Sequence, residues 1–298
     1  MRFSGHETFP CRIHWLNKGI SFLDKYQADS AAFSREDAVV ELGVGKNMVR
    51  SIQHWMRAFG LLGSSGNTQD FLDHLALFLA PGDDSWDEYI EDEATLWLLH
   101  YALVTEGYAS LYRLLFVDFP SERPMLEFTI PSLIRYVQTY VAKSGGNYKS
   151  YSENSIKKDI QVLLSLYGAS KKSKNPEEDA VGLFLHLDLI RPTGQVNELG
   201  EPTYSLHRNA APRVPLEVFA YCLLRENAER KQLDFDDVHQ VAQLFGATFE
   251  GTEHLIEQMV ERKWASYSSE AGVKSLKLYK KEEIQSGEML ERYYLPTE

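Results

Sequence analysis

The sequence predicts a mainly helical α+β protein that contains helix-turn-helix and winged-helix-like modules, with small β-hairpins as wings. Three observations favour this class. Apolar residues recur at helical spacing along much of the chain. A Gly-Val-Gly turn joins two such segments within residues 34–62, and strand-loop-strand patterns follow helices at residues 184–207 and 265–281. Because 298 residues exceed what one core usually serves, we expect three segments, at residues 1–125, 126–212 and 213–298.

The charge of the chain is unevenly distributed. The formal net charge is −12, which argues against nonspecific nucleic-acid binding by the whole surface. Residues 135–174 nevertheless carry eight Lys or Arg against two acids, and residues 81–93 carry seven acids and no base. This separation favours a basic docking face with an acidic region elsewhere, although solvated charges that happen to cluster would give the same pattern.

Cysteine content and hydropathy favour a reducing, cytoplasmic location. Only Cys11 and Cys222 are present, more than 200 residues apart, so no disulfide framework is indicated. The first 20 residues lack the uninterrupted apolar core of a signal peptide. The longest apolar runs are shorter than the roughly 20 residues that a membrane span requires. We therefore expect no membrane association.

The opening stretch "FSGHETFPCR" admits two interpretations. The apolar spacing predicts a helix capped by Thr8 and ended by Gly19, which places His6 and Glu7 at a helix N-terminus. In the structural interpretation, Glu7 complements the helix dipole or pairs with Arg12. In the functional one, Glu7 binds Mg²⁺, His6 transfers a proton and Arg12 holds a phosphate oxygen.

Residues 34–62 have the pattern of a helix-turn-helix. A first helix runs through Leu42, glycines 43 and 45 make the turn, and a second helix runs from about Lys46 to Phe59. One face of the second helix is apolar, and a separate stripe offers side chains that bind phosphates or read base edges. The predicted DNA-binding residues on this helix are Lys46, Asn47, Arg50, Gln53 and Arg57. The alternative is an amphipathic helix with a solvated charged face.

Residues 83–104 begin with acids and become apolar on every side, which predicts a buried helix with an acidic first turn. Asp87 and Glu91, with Glu88 nearby, would lie on neighbouring turns and could chelate a hard cation such as Mg²⁺. The helix dipole explains the same acids without a metal.

The middle and C-terminal segments each predict helices followed by a hairpin. Residues 152–168 form a capped helix with Lys157 and Lys158 on its flank as further predicted DNA-binding residues, and "KKSK" follows at 171–174. Near the C-terminus, helices within 214–229, 234–246 and 252–264 precede the hairpin at 265–281. The last of these helices carries Glu253, Glu257 and Glu261 on successive turns, so we expect this segment to dock a protein or to form a homodimer.

Four motifs in this order carry a family resemblance: "FSGHETFPCRIHWLNKG", "GVGKNMVRSIQHWMRAFGL", "DEYIEDEATLWLLHYAL" and "NSIKKDIQVLLSLY". Together they resemble a family of bacterial defence-island proteins long catalogued as a domain of unknown function. Its best-understood member nicks DNA in the single-stranded phosphorothioation (Ssp) system. The resemblance implies Mg²⁺-dependent nicking beside a cysteine desulfurase, an ATPase and an enzyme similar to PAPS reductases. The motif residues carried over are His6, Glu7, Arg12, Lys46, Asn47 and Arg50.

The predicted function is therefore that of a DNA-binding, metal-dependent nickase in phosphorothioate modification and anti-phage defence. An alternative is a non-enzymatic DNA-binding adaptor or regulator that recruits modification enzymes. A third is a scaffold that does not touch nucleic acid.

Overall fold

The computed structural model describes residues 1–26, 30–62, 82, 85–123, 125–145, 151–169, 182–270, 273–278 and 286–295. These residues divide into two compact units, Met1–Leu206 and His207–Glu298. The first two predicted segments, apart from residues 207–212, thus lie within one unit, and the division into three segments stays a prediction.

The first unit opens with an irregular segment and three helices: α1 (Ile13–Lys25), α2 (Ala38–Leu42) and α3 (Lys46–Ala58), with a 3₁₀ turn at Ser30–Ser34 between α1 and α2. The predicted bounds of α1 were wrong at both ends. Thr8 has a positive φ of 67° and Arg12 has extended backbone, so the helix begins only at Ile13. Gly19 does not end the helix. It is buried against Met56, and a Cβ there would lie 2.6 Å from the Met56 sulfur, so Gly19 allows α1 to pack closely on α3.

The α2–turn–α3 geometry agrees with the predicted pair of helices. Gly43 ends α2 with a φ of +63°, the left-handed conformation that glycine favours, and α3 begins directly after Gly45. The apolar seam of α3 is buried as predicted, at Val49, Ile52, Met56 and Phe59. This seam anchors α3 to the core, and Lys46, Asn47 and Arg50 of the helix remain exposed.

Helix α4 (Glu93–Thr105) is the central helix of this unit, and its side chains from Ala94 to Val104 are all buried. The sequence predicted a helix that begins near residue 83, but α4 begins at Glu93. Asp92 is its N-cap and accepts a hydrogen bond from the Ala94 amide, so residues 85–92 form an irregular entry to the helix. Beyond α4, a short helix α5 (Ser110–Arg113) continues through a π-helical turn (Leu114–Asp118) into α6 (Phe119–Glu122).

The rest of the first unit contains two helices and a small sheet. Strand β1 (Glu127–Phe128) precedes α7 (Ile130–Lys143) and α8 (Glu153–Leu166), and a 3₁₀ turn (Leu185–Leu187) precedes the hairpin β2 (Ile190–Val196) and β3 (Pro202–Leu206). The strands are antiparallel in the order β1-β3-β2, with Phe128 opposite Tyr204 and Ile190 opposite Leu206. The predicted basic run 171–174 lies outside the described residues.

The second unit begins with α9 (Leu216–Glu226), β4 (Gln232–Asp234), α10 (Phe235–Leu244) and α11 (Phe249–Glu261). The hairpin β5 (Ala265–Glu270) and β6 (Val273–Leu278) and the helix α12 (Ser286–Tyr294) complete it. Its antiparallel strands follow the order β4-β6-β5. The predicted turn at Ala271 and Gly272 lies outside the described residues.

Among the described elements, the second unit repeats the order found in the first unit from Phe119 to Leu206. In each, a helix, a strand, two helices and a hairpin occur in this order, with a 3₁₀ turn before the first hairpin, and the strand after the first helix pairs with the last strand of the hairpin. The predicted α+β class is confirmed. Among the described helices, none combines the length and the apolar character needed to cross a bilayer.

Candidate functional site

The N-terminal loop, residues 4–8, has an unusual backbone. Ser4, Gly5, Glu7 and Thr8 all have positive φ angles between 49° and 110°. Only Gly5 adopts such angles without steric cost, whereas each of the other three costs on the order of 1 kcal/mol. The loop therefore needs support from the surrounding structure.

A buried histidine–aspartate pair supplies much of this support. The Nε2 atom of His6 lies 2.8 Å from Asp159 Oδ1, and both carboxylate oxygens of Asp159 accept hydrogen bonds from the Ser4 amide. The Thr8 amide donates to His6 Nδ1 at 3.0 Å. Since Nδ1 accepts, Nε2 carries the proton and donates to Asp159.

These contacts define what His6 does in the observed conformation. Its ring is buried and both nitrogens are engaged within the chain, so His6 holds the loop in place. The proton-transfer role predicted for His6 stays a prediction, and it would require at least one of these hydrogen bonds to open.

Helix α3 holds the same loop from another side. The Ser51 hydroxyl donates to the His6 carbonyl at 3.0 Å, and the Trp55 indole nitrogen donates to the Phe9 carbonyl at 3.1 Å. The loop is thus fixed between α3 and α8. The predicted DNA-binding helix and the predicted catalytic loop belong to one supported structure.

His54, also on α3, packs under the loop at a place that the sequence did not single out. Its ring centroid lies 5.6 Å from that of His6, and a Cβ on Gly5 would lie 2.8 Å from its Nδ1. Burial, with the His6 ring and the charges of Arg2 and Arg57 nearby, lowers the pKa of His54 to about 3. His54 is therefore neutral at physiological pH, and Nδ1 has no hydrogen-bond partner among the described residues.

Glu7 points away from this buried pair. Its Oε1 lies 3.9 Å from Arg50 Nη1, and about a third of its side chain is exposed. The structural interpretation predicted that Glu7 pairs with Arg12, but in the structure Glu7 lies beside Arg50. Arg12 instead lies over the Trp15 ring at 5.5 Å. A carboxylate and a guanidinium therefore face solvent side by side at the start of α3.

The predicted stripe of α3 divides into two parts. Lys46, Asn47 and Arg50 are exposed. Gln53 is half-buried and donates to the Ser30 carbonyl at 3.2 Å, and Arg57 is half-buried near His54. The amino-terminal half of the helix thus presents the polar groups that are free to meet a ligand. On α8, Lys157 and Lys158 are also exposed, directly before the buried Asp159.

Arg12 and Glu91 both line a cleft of about 730 Å³ in the first unit. His14, Tyr89 and His186 also line it. Partial burial, together with Lys18 and Arg12, lowers the pKa of His14. The cleft is large enough for a nucleotide-sized group and offers a cation, a carboxylate and imidazoles.

The three predicted metal ligands do not converge. Asp87 accepts hydrogen bonds from the Glu91 and Asp92 amides and from the Thr95 hydroxyl, so its carboxylate organises the entry to α4. Glu91 lines the cleft, whereas Glu7 lies beside Arg50. Since residues 87–91 precede the helix, the spacing argument for a chelating pair was wrong. The described residues contain no group of three or more His, Cys, Asp or Glu that could hold a metal ion, and they do not fit a protein-only Mg²⁺ cage.

Sequence reasoning also missed Asp159 and the two cleft histidines. Asp159 is an acid among the apolar core positions of α8, between Ile156 and Ile160, and that position could have indicated a buried partner. His14 and His186 are far apart in sequence, and no local pattern brings them together.

The fold and the site define the class: an α+β protein in which a helix pair joined by a glycine turn supports a strained N-terminal loop. The chain belongs to the family described as protein of unknown function (DUF4007), which matches residues 3–294. Two solved structures share the fold over 98% of this chain and 87% of theirs. One is described as magnesium ion-bound SspB (TM-score 0.77, 23% identity) and the other as SspB (TM-score 0.76, 24% identity). The resemblance found in the sequence motifs is thereby confirmed, and at this identity it concerns the fold. No curated protein sequence matches the chain.

Proposed function

We propose that this protein is a DNA-binding nickase that acts in an Ssp-type phosphorothioation system and in anti-phage defence. One observation carries the proposal: α3 presents Lys46, Asn47 and Arg50 to solvent, and its opposite side fixes the loop that bears Glu7. A duplex that contacts the exposed row would pass close to Glu7, which lies 3.9 Å from Arg50.

In this proposal each residue has a defined task. Lys46, Asn47 and Arg50 bind backbone phosphates, and Lys157 and Lys158 extend the basic surface. Arg12 holds the phosphate, because a guanidinium can donate two parallel hydrogen bonds to two phosphate oxygens. Glu7 acts at the reacting phosphate, and His6 positions Glu7 by holding the loop on Asp159. Gln53 and Arg57 are half-buried. They hold α3 in place and contact DNA only at the edge of the interface.

The Mg²⁺ requirement is part of the proposal. Its support is the family resemblance and the magnesium ion-bound neighbour of the same fold. The described residues supply no cage for the ion, so we derive no step through it.

We also propose that the two parts with the same order of elements are winged-helix modules. The first contains the basic stretch 135–174, and the second carries the acidic row on α11. The acidic row on α11 fits a docking surface for a protein or for a second copy of the chain. A cysteine desulfurase, an ATPase and a PAPS-reductase-like protein are the partners that the resemblance implies.

A plasmid assay tests the activity. Supercoiled DNA, Mg²⁺ and the purified chain should yield open circles, and Glu7→Gln and Arg12→Gln should each lower the nicking rate at least 100-fold. Glu36→Gln, an exposed carboxylate in the same unit, is the matched control and should nick like the wild type. Full activity in both Glu7→Gln and Arg12→Gln would contradict the assigned residues.

The adaptor remains a second candidate for a specific reason. Both nitrogens of His6 form hydrogen bonds within the chain, and the three predicted metal ligands do not converge on one site in the described structure. The same assay separates the two functions, since an adaptor retards the plasmid on a gel without opening it.

A further inference from the structure

A second polar pocket, of about 190 Å³, lies on the first unit between the end of α6 and one face of α7. The α7 residues that line it include Arg135, Tyr136, Tyr140 and Lys143. The last three share one face because they are three, four or seven residues apart, and Arg135 lies beside Tyr136. Arg123, directly after α6, closes the opposite side. None of these residues belongs to the site described above.

The lining is cationic. Arg123, Arg135 and Lys143 face the pocket together with one carboxylate, Glu122. Within the described part of the chain, none of these three cations is within ion-pair distance of an acid. A second carboxylate, Asp118, accepts a hydrogen bond from the Tyr140 hydroxyl at 3.2 Å. Three cations against these two carboxylates leave the pocket with an excess of positive charge.

Tyr136, which lines the same pocket, has a buried hydroxyl without a hydrogen-bond partner among the described residues. Tyr136 is only 4% exposed, and its hydroxyl oxygen is buried with no hydrogen-bond partner among the described residues. An unsatisfied buried hydroxyl costs about 1–3 kcal/mol, so such groups usually have an external partner. Burial, with Glu122 and Asp118 nearby, raises the pKa of Tyr136. The hydroxyl therefore keeps its proton and can donate a hydrogen bond to an acceptor.

Arg123 is held in position for such an acceptor. Its guanidinium carbon lies 5.4 Å from the ring centroid of Phe119 and 5.4 Å from that of Tyr136. These cation–π contacts restrict the side chain and leave its N–H groups for a ligand. A guanidinium with a second one nearby suits a phosphate, whose oxygens accept paired hydrogen bonds.

The size of the pocket narrows the class of ligand. Pockets for drug-sized molecules measure about 300–1,000 Å³, so this one is too small for a whole nucleotide. We propose that the pocket formed by Arg123, Arg135, Tyr136 and Lys143 binds a single phosphate group. The group can come from the backbone of a nucleic acid or from a small phosphate compound. This site goes beyond the proposed function and does not depend on it.

Two variants of the full chain test the site. Arg135→Gln removes one cation, and Tyr136→Phe removes only the hydroxyl. Calorimetric titration with inorganic phosphate should show affinity at least tenfold weaker in Arg135→Gln and about threefold to tenfold weaker in Tyr136→Phe. The melting temperature of Tyr136→Phe should equal or exceed that of the wild type, because the hydroxyl has no partner to lose. Arg35→Gln, an exposed arginine of the same unit that pairs with Asp37, is the matched control.

A duplex DNA titration of the same proteins identifies the source of the phosphate. Weaker DNA binding by Arg135→Gln and Tyr136→Phe assigns the pocket to the DNA backbone, whether or not inorganic phosphate binds measurably. Unchanged DNA binding with weakened phosphate binding assigns it to a small phosphate compound. If neither variant changes either affinity, the proposal is overturned. Loss of plasmid nicking would bear only on the proposed function.

Discussion

At the residue scale, the N-terminal site consists of one buried pair and one exposed pair. His6 and Asp159 are shielded from water and hold a backbone with three strained non-glycine residues. Glu7 and Arg50 are exposed and only loosely paired. Removing one partner of a buried hydrogen bond to a carboxylate leaves the other partner unsatisfied and costs a few kcal/mol, whereas an exposed ion pair contributes little. The buried pair therefore supports the N-terminal loop, and the exposed pair is placed to contact a ligand.

This difference predicts the effect of removing Asp159. Asp159→Ala leaves the Ser4 amide and the His6 Nε2 without acceptors, so it should lower the free energy of unfolding by about 2–4 kcal/mol in urea denaturation. Asp37→Ala, at an exposed pair with Arg35, should change stability little. Equal effects of the two substitutions would contradict the supporting role of Asp159.

His54 predicts a pH dependence of stability. Its pKa is about 3 when folded and close to 6.5 when unfolded. Between these values the unfolded chain binds nearly one more proton at this residue than the native chain. Stability should therefore fall as pH falls below about 6.5, by up to about 1.4 kcal/mol per pH unit from His54 alone.

The comparison of wild type with His54→Asn isolates this contribution. Urea denaturation at several pH values from 4.5 to 7 should give a smaller slope of unfolding free energy against pH in the variant. Identical slopes would mean that His54 takes up a proton without cost in the native state.

At the element scale, the structure changed helix boundaries more than helix identities. The apolar spacing located α1, α3, α4 and α8, because burial of an apolar face decides where helices form. The boundaries depended on tertiary contacts. The loop before α1 is held by Asp159, which lies about 150 residues away in sequence. The helix continues through Gly19, and the missing side chain there makes room for Met56.

Helix α3 predicts a salt-dependent DNA affinity. If Lys46 and Arg50 each contact a phosphate, the slope of log affinity against log salt should become less steep by about 2 in the Lys46→Gln/Arg50→Gln double variant. Fluorescence anisotropy with a labelled duplex measures this slope. Lys25→Gln/Arg35→Gln removes the same charge from exposed residues paired with Glu41 and Asp37, and should keep the wild-type slope.

At the scale of the whole molecule, one order of elements occurs twice with different surface charges. The last described α-helix before the hairpin presents Lys157 and Lys158 in the first unit and a row of glutamates in the second. The two parts differ in their side chains, because the same fold can be built from unrelated residues as long as the apolar pattern is kept. A net charge of −12 is compatible with DNA binding only if the contacts are local.

The sequence by itself determined the α+β class, the helix pair with its glycine turn, the buried seam of α3 and the family. These properties follow from local periodicity and from residue types that only certain backbones accept. The tertiary structure alone decided that His6 is bound to Asp159, that Asp87 organises a helix entry, and that Arg12 and Glu91 share a cleft. Each of these depends on which distant segments pack together, and packing is set by the shape of the whole core, which no short stretch of sequence contains.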